Sequence, residues 1–380
     1  MDSSLYNQTA KRIFPSYFMS LLHAKHERFF NRCLTALPSS AASEDSNKLA
    51  IIFFCLQGLQ LLKKLQFTKE ECQFHKEYLW KSFYIEKDSY STFRSTPYFS
   101  HAGEDYDYGS ISACFFALAS LITLKSDLKQ LNKSKLMRYL IKCQVDAGPD
   151  KGGFVPFYNE YGFGEPDLRQ CYMALLVRQL LICHEDMKED IDLKSLKEFI
   201  LGRLNGNGGF SSRLMDEAHL GFTFCAIASL KLLNFPIEDL KTTQNWLLHR
   251  QIDYPESLYS DINYGYFQKS DIGAFNGREN KLGDTCYSWW STGSLYLMDS
   301  SNLSLLNISQ AEKFLLDCTQ NTIVGGFASR PEATPDPMHS CLALASLSLW
   351  NHRKYNLDEI DPVFVVSRNV LDKYRLNPKE

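Results

Sequence analysis

GNGGFSSRLMDEAHLGFTFCAIASLKLL, residues 206–233, opens as a glycine-rich turn, crosses a polar lead and ends in a run of Ala, Leu and Cys. The last part predicts a helix that is apolar on nearly every side, so it needs cover all round. The same plan returns in residues 151–181, KGGFVPFYNEYGFGEPDLRQCYMALLVRQLL, in 272–298, IGAFNGRENKLGDTCYSWWSTGSLYLM, and in 324–350, VGGFASRPEATPDPMHSCLALASLSLW. An aromatic follows the glycines each time, at Phe154, Phe210, Phe275 and Phe327, with intervals of 56, 65 and 52 residues. YDYGSISACFFALASLITL, from Tyr106, reads as an earlier and more degenerate copy, so the repeats run from about residue 105 to 351.

Between the copies lie LNKSKLMRYLIKCQ, LKSLKEFILGRL and AEKFLLDCTQ, each amphipathic. The unit is therefore a helix pair, the first member buried and the second facing solvent on one side. One pair cannot cover its own apolar faces, so the pairs must stack. Sustained period-two alternation is missing, which argues against a sheet. The unusual polar residues sit at the leads of the buried helices, where a closed ring would gather them at one rim. The expected fold is all-α, an α/α barrel (toroid) of stacked helical pairs around a central apolar cavity, with residues 1–380 as one domain. Upstream, HAKHERFFNRCLTALPSSA and NKLAIIFFCLQGLQLLKKL predict two more helices with a serine-rich break between them.

Composition bounds the function. The chain has 380 residues, 44% apolar, with a formal net charge of -3, so a large core is affordable and nucleic acid is not an expected partner. No apolar run reaches the ~20 residues of a transmembrane segment. The start, MDSSLYNQTAKRIF, does not read as a signal peptide, and the end, RLNPKE, carries no lipidation motif. Eleven cysteines without a disulfide-like spacing suit a reducing, cytoplasmic setting.

Chemistry concentrates in AFNGRENKLGDTCYSWW, residues 274–290. Asp284 and Cys286 stand two apart at a helix lead, and His339 stands at the lead of the next repeat. A carboxylate, a thiolate and an imidazole can ligate one zinc ion and leave its fourth position open, as in a catalytic site. The plainer reading makes Asp284 a helix cap and His339 an ordinary hydrogen bonder. Arg278 and Lys281 precede the ligands, and His219 leads the previous repeat. Together they suit a diphosphate, with Tyr287 as a further donor, although solvated loop charge is the commoner explanation. Trp289, Trp290, Phe222, Phe224 and Phe116 would line an apolar cavity, or simply form core.

GRENKLGDTCYSWW resembles the zinc-site segment of the β subunits of protein prenyltransferases. DEAHLGFTFC resembles their histidine-containing diphosphate segment, and DPMHSCLALASLSL their third zinc ligand. The resemblance runs from about residue 20 to 350. It implies an enzyme that joins the cysteine of a C-terminal CaaX motif to an isoprenoid, with one zinc per β subunit. It implies zinc at Asp284, Cys286 and His339, with Tyr287 completing the catalytic set. It implies a diphosphate and isoprenoid site at His219, Gly221, Arg278, Lys281, Tyr287, Ala50 and Trp290. EPDLRQCY implies peptide contacts at Glu165 and Arg169, with Met338 shaping the pocket for the terminal residue. The implied partners are a prenyltransferase α subunit in an obligate heterodimer, geranylgeranyl diphosphate, and proteins such as Rho-type GTPases whose CaaX motif ends mostly in Leu.

Within the family, HERFFNRCLTALP, LAIIFFCLQGLQLL and GDTCYS look most like the type I geranylgeranyl members. Ala50 stands where farnesyltransferases carry a tryptophan that blocks the lipid tunnel, so a fourth isoprene unit has room. A farnesyltransferase β subunit is the enzyme alternative, a helical-repeat binding scaffold the non-enzyme one, and a terpene cyclase, which would need acidic motifs, the least fitting. Ser329 replaces an aspartate associated with magnesium, so magnesium dependence stays open, with Arg330 beside it. Ser110 replaces an expected peptide-contacting histidine.

Overall fold

The computed structural model describes residues 19–376 apart from 102, 104–106, 160–162, 184–186, 256 and 258–267. Tyr106 and both chain ends, with the readings made of them, lie outside the described residues.

Among the described residues, six helices form an inner ring. They are α2 (Lys48–Leu61), α4 (Ile111–Thr123), α6 (Leu168–Ile182), α8 (Leu220–Leu232), α10 (Thr285–Met298) and α12 (Pro337–Asn351). Each packs on the next, and α12 packs back on α2, which closes the circle. Outside them lie α1 (His23–Thr35), α3 (Lys69–Phe83), α5 (Lys133–Cys143), α7 (Leu193–Leu201), α9 (Lys241–Leu248) and α11 (Ile308–Lys313). The division follows composition. α8 has buried residues on all sides, whereas α5 buries Leu136, Met137, Tyr139, Leu140 and Cys143 along one stripe. The fold is the expected α/α toroid.

The repeated aromatic marks the same place in each unit. Phe154, Phe210, Phe275 and Phe327 have no exposed surface. Each forms a backbone bridge to the end of the preceding outer helix, at Gln144, Leu204, Gln251 and Gln320 respectively. The last two also open short hairpins. β3 (Phe275–Asn276) pairs with β4 (Gly283–Asp284), and β5 (Phe327–Ala328) with β6 (Pro335–Asp336). Two further two-stranded ribbons are β1 (Tyr84–Glu86) with β2 (Ser91–Phe93) and β7 (Ile360–Asp361) with β8 (Val366–Ser367).

Two expectations need correction. The serine-rich break is a 3-10 helix, Ser39–Asn47, kinked at Ala41. Pro38 presets the entry, and Ser46 bonds back to the Ser43 carbonyl at 3.3 Å, a local partner that competes with longer-range structure. AEKFLLDCTQ is α-helical only to Lys313; Phe314–Thr319 is a π-helix. The wider turn lets three successive residues, Phe314, Leu315 and Leu316, all be buried.

Segment 357–376 covers one end of the ring. Asp358 N–H donates to Leu61 O at 2.8 Å, Ser348 Oγ to Asp358 O at 2.6 Å, and Tyr374 Oη to Leu180 O at 2.9 Å. All three ring partners lie at or near the C-terminal ends of inner helices. The helix N-termini, with the polar leads, form the opposite rim. No helix of the described residues is long and apolar enough to cross a membrane.

His26, fully buried, ties α1 to the last repeat. Its ring stacks on Phe327 at 4.8 Å, Nε2 meets Gln320 Oε1 at 2.8 Å, and Nδ1 accepts from Gly326 N–H at 2.9 Å. Burial lowers its pKa to about 4. The unfolded chain binds the proton near 6.5 and the folded one does not. Stability is therefore intact above pH 6.5 and falls as pH drops to 4, by up to ~3 kcal/mol. Denaturant titrations across that window should show the loss, and His26→Gln should flatten it.

Candidate functional site

Five of the six inner helices begin at a polar N-cap whose side chain accepts a backbone N–H: Ser110, Asp167, His219, Asp284 and Asp336. These caps satisfy donors the helices leave open, and they set the rim. Asp284 is thus a cap, as the plainer reading held, with Oδ1 taking the Cys286 N–H at 2.8 Å. It is also one corner of a cluster. The ligand atoms of Asp284, Cys286 and His339 all lie within 4.8 Å of one another. His339 Nε2 is 3.2 Å from Asp284 Oδ1.

Asp336 completes this group. It caps α12 through the His339 N–H at 3.0 Å, and its Oδ2 holds His339 Nδ1 at 2.5 Å, which turns Nε2 toward Asp284 and Cys286. Electrostatics describe a site built for a cation. Burial alone would lower His339, but Asp284, Asp336 and Cys286 outweigh it and push it up to about 12. Burial pushes the Cys286 thiol up to about 12, with His339 opposing. Burial would raise Asp284, yet its bonds to His339 and Cys286 hold it below the usual carboxylate value. Protons thus stand where a divalent ion would neutralise the same three donors, and the donor set, carboxylate, thiol and imidazole, suits zinc.

A second group lies across the β3–β4 hairpin. His219 Nδ1 accepts the Gly221 N–H at 3.1 Å, so Nε2 carries the ring proton. Nε2 faces Tyr287 Oη at 3.2 Å and donates to it, which leaves the phenolic proton for another acceptor. Burial, then Arg278, keeps His219 below its ordinary pKa and so neutral. Gly277 admits the Tyr287 ring, since a Cβ there would sit 2.2 Å from Cζ. Its carbonyl takes the Leu220 N–H at 2.8 Å, joining the hairpin to α8. At Gly221, a Cβ would come within 3.3 Å of His219 Nδ1.

Arg278 is at the exposed hairpin tip, bound to Glu217 at 2.9 Å. Lys281 is exposed on the same hairpin. Arg169 binds its own helix cap, Asp167, at 2.6 Å and lies over Phe222 at 5.3 Å. Glu165 pairs with Arg213. The rim thus gathers His219, Tyr287 and Arg278, while Glu165 turns to Arg213 and Arg169 to Asp167. Met338 is half-buried at the start of α12.

Ala50 is half-buried on α2, one turn before Phe54, whose ring is 5.9 Å from Phe116. Phe116, Phe222 and Trp290 keep exposed surface. Trp289 and Phe224 have none and pack within the wall, unlike the cavity role expected for them. Ser329 contributes its backbone: its carbonyl accepts the Thr285 N–H at 2.8 Å. Ser110 is the cap of α4.

Sequence reading missed Asp336 and Glu217. The repeat register contained the first. Asp336 stands as far beyond Phe327 as Asp284 does beyond Phe275, and both pairs are cross-strand partners.

The chain matches the family described as "Prenyltransferase alpha-alpha toroid domain" over residues 21–366. It is 29% identical over 347 residues to the geranylgeranyl transferase type-1 subunit beta of Dictyostelium discoideum, covering 86% of this chain and 90% of that protein. It is 27% identical over 370 residues to the protein farnesyltransferase subunit beta of Schizosaccharomyces pombe, covering 93% and 86%. A solved structure, Candida albicans protein geranylgeranyltransferase-I complexed with GGPP, superimposes with a TM-score of 0.90 at 55% identity, over 95% of this chain and 100% of that one.

Proposed function

The chain belongs to the prenyltransferase alpha-alpha toroid family, and from that membership we propose that it is the β subunit of a type I protein geranylgeranyltransferase. It acts with an α subunit in the cytoplasm, takes geranylgeranyl diphosphate, and modifies the cysteine of CaaX motifs that end mostly in Leu. The observation that carries the reading is one hairpin, β3–β4, shared by the Asp284–Cys286–His339 cluster and the His219–Tyr287–Arg278 group. The 55% identity to the Candida structure with GGPP supports the donor.

In this reading a sulfur–C1 bond forms as the C1–oxygen bond to diphosphate breaks, so the two groups must lie side by side. Zinc held by Asp284, Cys286 and His339 would supply a bound, deprotonated substrate thiol. The chain's own residues do the rest. Asp336 keeps the proton on His339 Nδ1, so Nε2 offers its lone pair. His219 holds Tyr287 with its hydroxyl proton free to meet the leaving diphosphate. Arg278 and Lys281 balance the charge that grows there, Arg278 by exchanging Glu217 for phosphate oxygens. Gly221 leaves room for the His219 ring, which a Cβ at that position would press at 3.3 Å. Ala50 and Trp290 shape the lipid path, and Glu165, Arg169 and Met338 meet the peptide. Ser329 offers no carboxylate for magnesium.

Purified with its α subunit, the chain should carry about one zinc; a heterodimer that is active without it would overturn the site. Asp336→Asn should weaken zinc binding by ~10–100-fold, the usual cost of losing a ligand's outer partner, read by competition with a chelator.

A further inference from the structure

Asp271 is 3% exposed, a buried carboxylate in the turn Lys269–Asp271 just before β3. Its Oδ2 accepts the Gly283 N–H at 3.1 Å, and its backbone carbonyl takes the Ala274 N–H at 2.9 Å. That turn is itself tied to the chain after α9: Ile252 N–H donates to Ala274 O at 2.8 Å and Gly273 N–H to Ile252 O at 2.9 Å. Gly283 immediately precedes Asp284. On the other side, Thr285 N–H donates to Ser329 O at 2.8 Å and Thr285 Oγ1 to Ala328 O at 2.6 Å. Both neighbours of Asp284 are therefore clamped, one to its own repeat and one to the hairpin that leads to His339.

A buried carboxylate is costly where an apolar side chain would serve. Burial raises the pKa of Asp271, and the Gly283 bond acts against that rise. The space around Gly283 is also closed: a Cβ there would sit 2.5 Å from Ala274 Cβ. The strand can approach this closely only as glycine, and then needs an acceptor for its buried N–H. Asp271 supplies it.

We propose that Asp271 is a positioning residue for the metal site: through Gly283 it fixes the backbone of Asp284, and so the approach of that carboxylate to Cys286 and His339. The inference rests on the zinc reading given above. Loss of the bond would leave Asp284 in the chain but free to swing, and a ligand set that must be reorganised binds its ion more weakly.

The test is zinc affinity of the heterodimer by chelator competition, with thermal melting of the same samples. Asp271→Ser, whose shorter side chain cannot span to Gly283, should weaken zinc by ~10-fold or more. Asp271→Ala should do the same where it folds. Asp271→Asn keeps an oxygen at the right distance and should stay within ~3-fold of wild type, a rescue that mere packing would not give. Wild-type zinc affinity in Asp271→Ser, beside a clear loss in Asp284→Ala, would overturn the proposal and leave the zinc site standing. Equal losses in the Ser and Asn variants would also overturn it, because charge and not the hydrogen bond would then matter. Undiminished zinc binding in Asp284→Ala would instead sink the zinc reading and this inference with it.

Discussion

Cys286→Ala is expected to cut prenyl transfer by more than ~100-fold, beyond the cost of losing an outer partner such as Asp336. The thiol is one of three donors within 4.8 Å of one another, and the other two are already committed to each other at 3.2 Å. Without sulfur only an imidazole and a carboxylate remain as donors, too few to hold zinc tightly. The fold should survive, since Cys286 is a small side chain at a helix start and the cap bond uses its backbone N–H, which alanine keeps. The measurement is transfer rate against zinc content and melting temperature in the same preparations. A variant that loses zinc yet keeps its rate would remove Cys286 from the mechanism, and one that only unfolds would point to a structural thiol.

Ala50→Trp should reverse donor preference. Ala50 stands on the inner helix α2, one turn from Phe54, which packs against Phe116. An indole placed there fills the space proposed for the fourth isoprene unit. Five buried carbons at ~0.8 kcal/mol each are worth up to ~4 kcal/mol. Excluding them should shift the ratio of kcat/KM for the two donors toward farnesyl by ~10²–10³-fold. Competition between the two diphosphates reads the ratio directly, and an unchanged ratio would place the end of the lipid elsewhere.

Much of this was legible because the chain repeats. Four phenylalanines at corresponding positions, each after glycines, mark the unit in the sequence, and all four are buried in the fold. The all-round apolar character of residues 220–232 identified an inner helix, and the polar leads pointed to a shared rim. Closure of the ring was less direct: the contact between α12 and α2 joins residues ~290 positions apart, and only the placement of polar leads hinted at it. Hydrogen-bond partners were harder still. Asp336 was hidden in DPMH because a carboxylate at a helix start reads first as a cap, which it also is. Glu217 lies 61 residues from Arg278, so their pairing exists only once the β3–β4 hairpin reaches the lead of α8. The π-helical end of α11 had no sequence signal beyond three apolar residues in a row. The distinction between Trp289, sealed in the wall, and Trp290, partly open, depends on helix rotation that adjacent identical residues cannot reveal.

Geranylgeranyl transfer at the β3–β4 hairpin can be tested in a single competition assay. The purified heterodimer is given equal concentrations of geranylgeranyl and farnesyl diphosphate with a CaaX peptide ending in Leu, and the thioether products are separated by mass. The geranylgeranylated peptide should dominate in wild type, and both products should fall by more than ~100-fold with Cys286→Ala. A wild-type preference for farnesyl, or full activity in Cys286→Ala, would contradict this reading.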